Sequence, residues 1–123
     1  METLGIIHPI QPYDFNLTLD LFARYTHPVL DIVHDGAYWR VIDAGDDLAL
    51  LRVDSINGAL RVSLAAATGP VDGDALLACM RRILCADIDP NPFYDTARQH
   101  PELWRLVEPV RGVRWLRTAT AFE

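Results

Sequence analysis

"VLDIVHDGAYWRVIDAGDDLALLRVDSINGALRVSLAA", residues 29–66, carries the strongest structural signal in the chain. "VLDIVH" runs into Asp35-Gly36, "AYWRVIDA" follows, "LALLRV" starts after Gly45-Asp46-Asp47, and "ALRVSLAA" starts after Asn57-Gly58. Asp-Gly and Asn-Gly tolerate the positive φ angles of two-residue hairpin turns. In the last run Leu60, Val62 and Leu64 face one way and Arg61 and Ser63 the other, the period of a strand. These segments read as an antiparallel meander with one wet face.

On the N-terminal side, "TLGIIHPIQP" predicts a short edge strand ending before Pro9. "YDFNLTLDLFARYTHP" fits two periods. Phe15, Leu17, Leu19 and Leu21 alternate as in a strand, whereas Phe15, Leu19 and Phe22, like Leu17, Leu21 and Tyr25, recur as in a helix. Asp14 as N-cap and Pro28 as stop favour the helix. On the C-terminal side the period changes. Gly69-Pro70 breaks the sheet, Asp72 and Asp74 offer caps, and Leu76, Leu77, Met80, Ile83 and Leu84 follow an amphipathic helical spacing. Asp87 and Asp89 are expected to terminate this helix. Two shorter helices start at Pro92 and Pro101, positions suited to a first turn. Beyond Pro109, "VRGVRWLRTA" has no caps and no clean period and reads as a connecting segment. Strands followed by helices define an α+β domain, a curved antiparallel sheet backed by helices.

The bulk properties agree with one domain. The chain has 123 residues, half of them apolar and 23% charged, as in ordinary globular proteins. No apolar run reaches the roughly 20 residues of a bilayer span, and the first residues lack the pattern of a signal peptide. A cytoplasmic protein is expected. Cys79 and Cys85, six apart on one predicted helix, point away from each other and are expected to be small buried hydrophobes. The net charge of −6 argues against strong independent binding to DNA or anionic lipid. Every fixed cation is an arginine. Residues 31–54 hold six aspartates against two arginines, while residues 98–117 hold five arginines against Glu102 and Glu108. Nucleic acid, if it approaches, approaches the tail.

No catalytic motif stands out. His8, His27, His34 and His100 have no ligand spacing, so no metal site is expected. The carboxylates of "DAGDD" and "DIDP" lack the interior pattern and the glutamate of a calcium loop and read as turn aspartates. Ser55 and Ser63 have no basic partner, and phosphate-binding glycine loops are absent. Trp39 and Trp104 are expected in the core, whereas Trp115, next to Arg114 and near Arg117, is the tryptophan whose setting suits DNA.

The order of elements, with Pro12-Tyr13-Asp14-Phe15 near the start, the hairpin at Asp35-Gly36, the helix leading into "RRILCADIDPNPFY", and Gly112-Val113-Arg114 before "LRTATAFE", resembles the N-terminal domain of the helix-hairpin-helix DNA glycosylases. The likeness is greatest to the 3-methyladenine DNA glycosylase II type and weaker to the 8-oxoguanine type. The family often has a proline before the tail glycine, where this chain has Arg111, so lesion preference is left open. The resemblance implies a TBP-like α+β domain over residues 1–109 and a connector, residues 110–123, leading into a helical catalytic domain beyond this chain. Thr120 to Glu123 match a capping box, the start of that domain's first helix.

It further implies a supporting part in base-excision repair, in which the complete enzyme flips a damaged base from duplex DNA and hydrolyses its glycosidic bond. The partners would be the helical domain and damaged DNA. No catalytic residue and no cofactor are implied within this chain. Arg111, Arg114 and Arg117 flank the junction and are the candidate DNA contacts. They could equally pair with carboxylates of the helical domain. The alternative from another class is a self-contained α+β interaction module that dimerises.

Overall fold

A computed structural model describes residues 1–25, 30–115 and 117. Pro28 and the Thr120–Glu123 capping box lie outside the described residues. Five strands, β1 (Glu2–Ile7), β2 (Ile32–His34), β3 (Ala37–Asp43), β4 (Leu48–Ile56) and β5 (Ala59–Ala67), form an open sheet in the order β1-β5-β4-β3-β2. Every neighbouring pair is antiparallel. The predicted turns are present, with Asp35, Gly36, Asn57 and Gly58 at φ values of 51°, 69°, 51° and 81°. That conformation matches the twist of the strands it joins. The register shifts between Thr3 and Gly5 on β1 and between Leu50 and Leu51 on β4. Such bulges bend and twist a sheet.

The register sets the two faces. Tyr38, Val53 and Val62 pair across the inner face, and Ile42 pairs with Ala49 beside them. All five are buried. Two helices cover this face. α1 (Phe15–Tyr25) presents Phe15, Leu19 and Phe22 to the core, so the helical period prevails over the alternating one. The Asp14 carboxylate accepts the Leu17 N–H at 3.0 Å and caps its first turn, as expected. The Phe22 and Tyr38 rings meet at 5.7 Å, joining helix to sheet. α2 (Gly73–Ile83) is capped by Asp72, whose carboxylate accepts from Asp74 and Ala75, and it buries Leu76, Met80 and Ile83. α3 (Asn91–Arg98) buries Tyr94 and Ala97. α4 (Pro101–Val107) and the 3-10 turn Glu108–Val110 complete the set. Among the described residues no helix is long and apolar enough to cross a membrane.

Several expectations are corrected. Trp39 is not in the core. The inward set of β3 is Tyr38, Arg40 and Ile42, which leaves Trp39 on the outer face, with the Arg52 guanidinium 5.6 Å from its ring centroid. Arg40 is tolerated inside because Asp31 lies 3.1 Å away, and the same carboxylate oxygen accepts the Tyr38 hydroxyl at 2.5 Å. Trp104 is half-buried, edge-on to Tyr94 at 6.3 Å with Arg98 over its ring at 4.6 Å.

Asp87 and Asp89 do not end α2. The helix stops at a left-handed residue, Cys85 (φ 54°), with Cys85 N–H donating to the Arg82 carbonyl and Ala86 N–H to the Arg81 carbonyl. This is the Schellman pattern, with cysteine where glycine is usual. The two cysteines therefore do not share a helix; both are free, Cys85 is buried as expected, and Cys79 is only half-buried.

Leu51 is fully buried and Val41 is 55% exposed. Leu51→Ala is expected to lower the unfolding free energy by about 3 kcal/mol, whereas Val41→Ala stays within about 0.5 kcal/mol. Urea titrations of the two variants check this.

Candidate nucleic-acid interface

The predicted site lies where the end of the chain meets its beginning. After the 3-10 turn, Gly112 takes φ +93°. Its carbonyl accepts the Asp14 N–H at 2.7 Å, and its own N–H donates to the Tyr94 hydroxyl at 2.9 Å. A Cβ at this position would stand 2.8 Å from the Asp14 nitrogen. Both the dihedral angle and the close approach therefore require glycine. From here the tail runs between the start of α1 and the end of α2.

Arg114 follows the glycine inward and is only 6% exposed. Its backbone N–H donates to the Thr18 hydroxyl at 3.1 Å. Its guanidinium donates to the carbonyls of Ile10 at 2.9 Å, Gly112 at 3.4 Å and Ile88 at 3.5 Å, and lies 5.0 Å from the centroid of the Tyr13 ring. The Tyr13 hydroxyl in turn donates to the Leu84 carbonyl at 2.8 Å. One side chain thus ties together three segments distant in sequence. A buried guanidinium is stable only when its donors are met, and carbonyl oxygens from three loops meet most of them.

Arg117 closes the path. Its N–H donates to the Ile83 carbonyl at 2.9 Å, its Nε to the Arg82 carbonyl at 2.7 Å, and its Nη2 pairs with Asp87. It supplies partners to carbonyls at the end of α2, where a cation also complements the helix dipole. Between Arg114 and Arg117, the Cys85 thiol donates to the Trp115 carbonyl at 3.0 Å, while Trp115 itself is 65% exposed. The described residues of this tail, Gly112 to Trp115 and Arg117, have no regular secondary structure, yet they are fastened to the domain at Gly112, Arg114, Trp115 and Arg117.

The structure separates the three candidate arginines. Arg114 is interior and its guanidinium is engaged by backbone carbonyls, so it presents no accessible charge to a phosphate. Arg117 is partly exposed but paired with Asp87. Arg111 is exposed and lines an open cleft of about 450 Å³ with Gln11, Tyr13, Asn16 and Ser55. Among the described residues the only carboxylate lining that cleft, Asp14, is committed to capping α1. No histidine among the described residues lines it. Among the described residues no three His, Cys, Asp or Glu side chains come together as a metal site requires.

Thr18 and Tyr94 are hydrogen-bonding parts of this junction that sequence reasoning did not single out. Thr18 did carry a signal, because a hydroxyl among Phe15, Leu19 and Phe22 on a buried helix face must find a partner. Comparison of the chain with protein-family models and with curated proteins returns no match.

Burial sets the chemistry of the junction's weak acids. It pushes the Tyr13 phenol well above the ordinary tyrosine range, with the Arg114 charge opposing it, and it raises the Cys85 thiol, with Arg117 opposing. In the unfolded chain these groups lose protons nearer their ordinary values, about 10 for tyrosine and 8.5 for cysteine, while the folded chain retains them. Their contribution to stability is therefore intact at neutral pH and is lost as pH rises into the alkaline range. Urea unfolding as a function of pH should show stability falling above about pH 9, with a shallower fall in Tyr13→Phe. Gly112→Ala should destabilise the fold by at least about 3 kcal/mol, whereas Gly45→Ala, at φ +92° but with open space, should cost about 1 kcal/mol. Thermal melts of the two variants make the comparison.

Proposed function

We propose that this chain is the supporting, non-catalytic N-terminal domain of a helix-hairpin-helix DNA glycosylase, which hydrolyses the N-glycosidic bond of alkylated or oxidised bases. One observation supports this reading above the others. The two motifs that carry the resemblance, Pro12-Tyr13-Asp14-Phe15 and Gly112-Val113-Arg114, stand at opposite ends of the chain and meet in one knot. Gly112 pairs with Asp14, and Arg114 lies over Tyr13. A domain built to hold a following domain in a set orientation needs such a rigid exit, because slack there would misplace the catalytic groups by more than the chemistry tolerates. Among the described residues the carboxylate that lines the cleft, Asp14, is committed to capping α1, which suits a supporting part.

In this reading the helical domain supplies the base pocket, the aspartate and the phosphate-gripping hairpin, and this domain supports one side of the substrate cleft. Arg111 is the one member of the arginine trio free to meet a phosphate. Arg114 has the different task of holding the exit.

Incubation with alkylated duplex tests the assignment. The 123-residue chain should release no base, and the polypeptide read from the complete coding sequence should release it; excision by the short chain would sink the proposal. In the complete protein, Arg111→Ala should weaken duplex binding and flatten the dependence of log affinity on log salt by about one.

A further inference from the structure

α4 buries none of its residues. Leu103, Leu106 and Val110 recur at three- and four-residue intervals along α4 and the 3-10 turn, and are 40%, 73% and 47% exposed. They form an apolar ridge. Beside it runs a groove of about 400 Å³ between α1 and the tail, lined by Leu17, Leu21, Val110 and Val113, with Asp20 and Arg24 on its rim. Ridge and groove share Val110, so they are one continuous surface.

We propose that this face is the interface of a symmetric homodimer, the ridge of each copy seated in the groove of the other. The occupant follows from the rim. A two-fold interface uses the same patch twice and must match itself. Asp20 and Arg24 are opposite charges four residues apart on α1, hence on one face. An antiparallel copy of α1 brings Asp20 opposite Arg24 of the partner subunit, and the two-fold repeats that contact. Each copy carries a net charge of −6, so copies repel at long range and associate only where local charges complement each other. Duplex DNA is a poor occupant, because the groove is apolar and its rim is half acidic. This association is independent of the glycosylase reading and holds whether or not that reading does.

Sedimentation of the 123-residue chain across a dilution series tests it. A reversible dimer is expected. Leu106→Asp should give a monomer with an unchanged circular dichroism spectrum, since Leu106 is largely exposed. Asp20→Arg should weaken the dimer by roughly tenfold or more by setting like charges across the axis, and adding Arg24→Asp should restore it, because the reversed pair again matches itself. A chain that stays monomeric throughout, a dimer indifferent to Asp20→Arg, or a double variant no tighter than the single one overturns the proposal. The last result would mean that Asp20 and Arg24 do not face each other across a two-fold axis.

Discussion

The junction depends on a backbone contact too close for any side chain. The Gly112 carbonyl sits 2.7 Å from the Asp14 nitrogen, and this approach places Arg114 where it can reach three loops at once. Asp14 serves both sides of the contact, capping α1 with its carboxylate while its own N–H receives the tail. Helix start, tail path and buried guanidinium are therefore coupled. Since residues in one hydrogen-bond network do not contribute additively, the assembly should behave as a unit, either closed or broken.

Charge is handled the same way elsewhere. On the outer sheet face Asp54 accepts from Arg61 at 3.0 and 2.6 Å and holds Arg52 at 3.0 Å. The Arg61 hydrogen bonds, with Arg52 adding to them, hold the Asp54 carboxyl below the usual carboxylate range despite some desolvation. Asp31 balances Arg40 inside. In an acidic protein whose fixed cations are all arginines, much of the positive charge is thus consumed internally, and the excess counted along residues 98–117 overstates what a polyanion would meet. Arginine suits this use because its planar fork satisfies several acceptors at fixed angles.

Local features were legible in the sequence. The Asp35-Gly36 and Asn57-Gly58 hairpins, the Asp14 and Asp72 caps and the proline starts of α3 and α4 each rest on a few adjacent residues, and each is found. What failed depends on partners across the fold. Trp39 has apolar neighbours along the chain, but the face of β3 that turns inward is set by its register with β4, and Arg40 could be placed inside only once Asp31 was known to be beside it. Cys85 gave no warning that it would adopt a left-handed conformation, because cysteine is not a usual residue there. Arg114 flanks the junction in the sequence and stands with Arg111 and Arg117 as a candidate DNA contact, yet it is buried. Its acceptors are backbone carbonyls of Ile10 and Ile88, which no side-chain pattern announces. Of the junction, then, the three arginines could be named from the sequence, but not the different surroundings that the fold gives each of them.

The two outer strands of the sheet have a further consequence. β1 is interrupted by a bulge around Leu4, and β2 has three residues. Neither margin offers a long flat row of unpaired amides, which is what an incoming extended peptide needs to add itself to a sheet. Irregular margins of this kind disfavour edge-to-edge growth into fibrils, even with Ile6 and Ile32 exposed at the borders of the sheet.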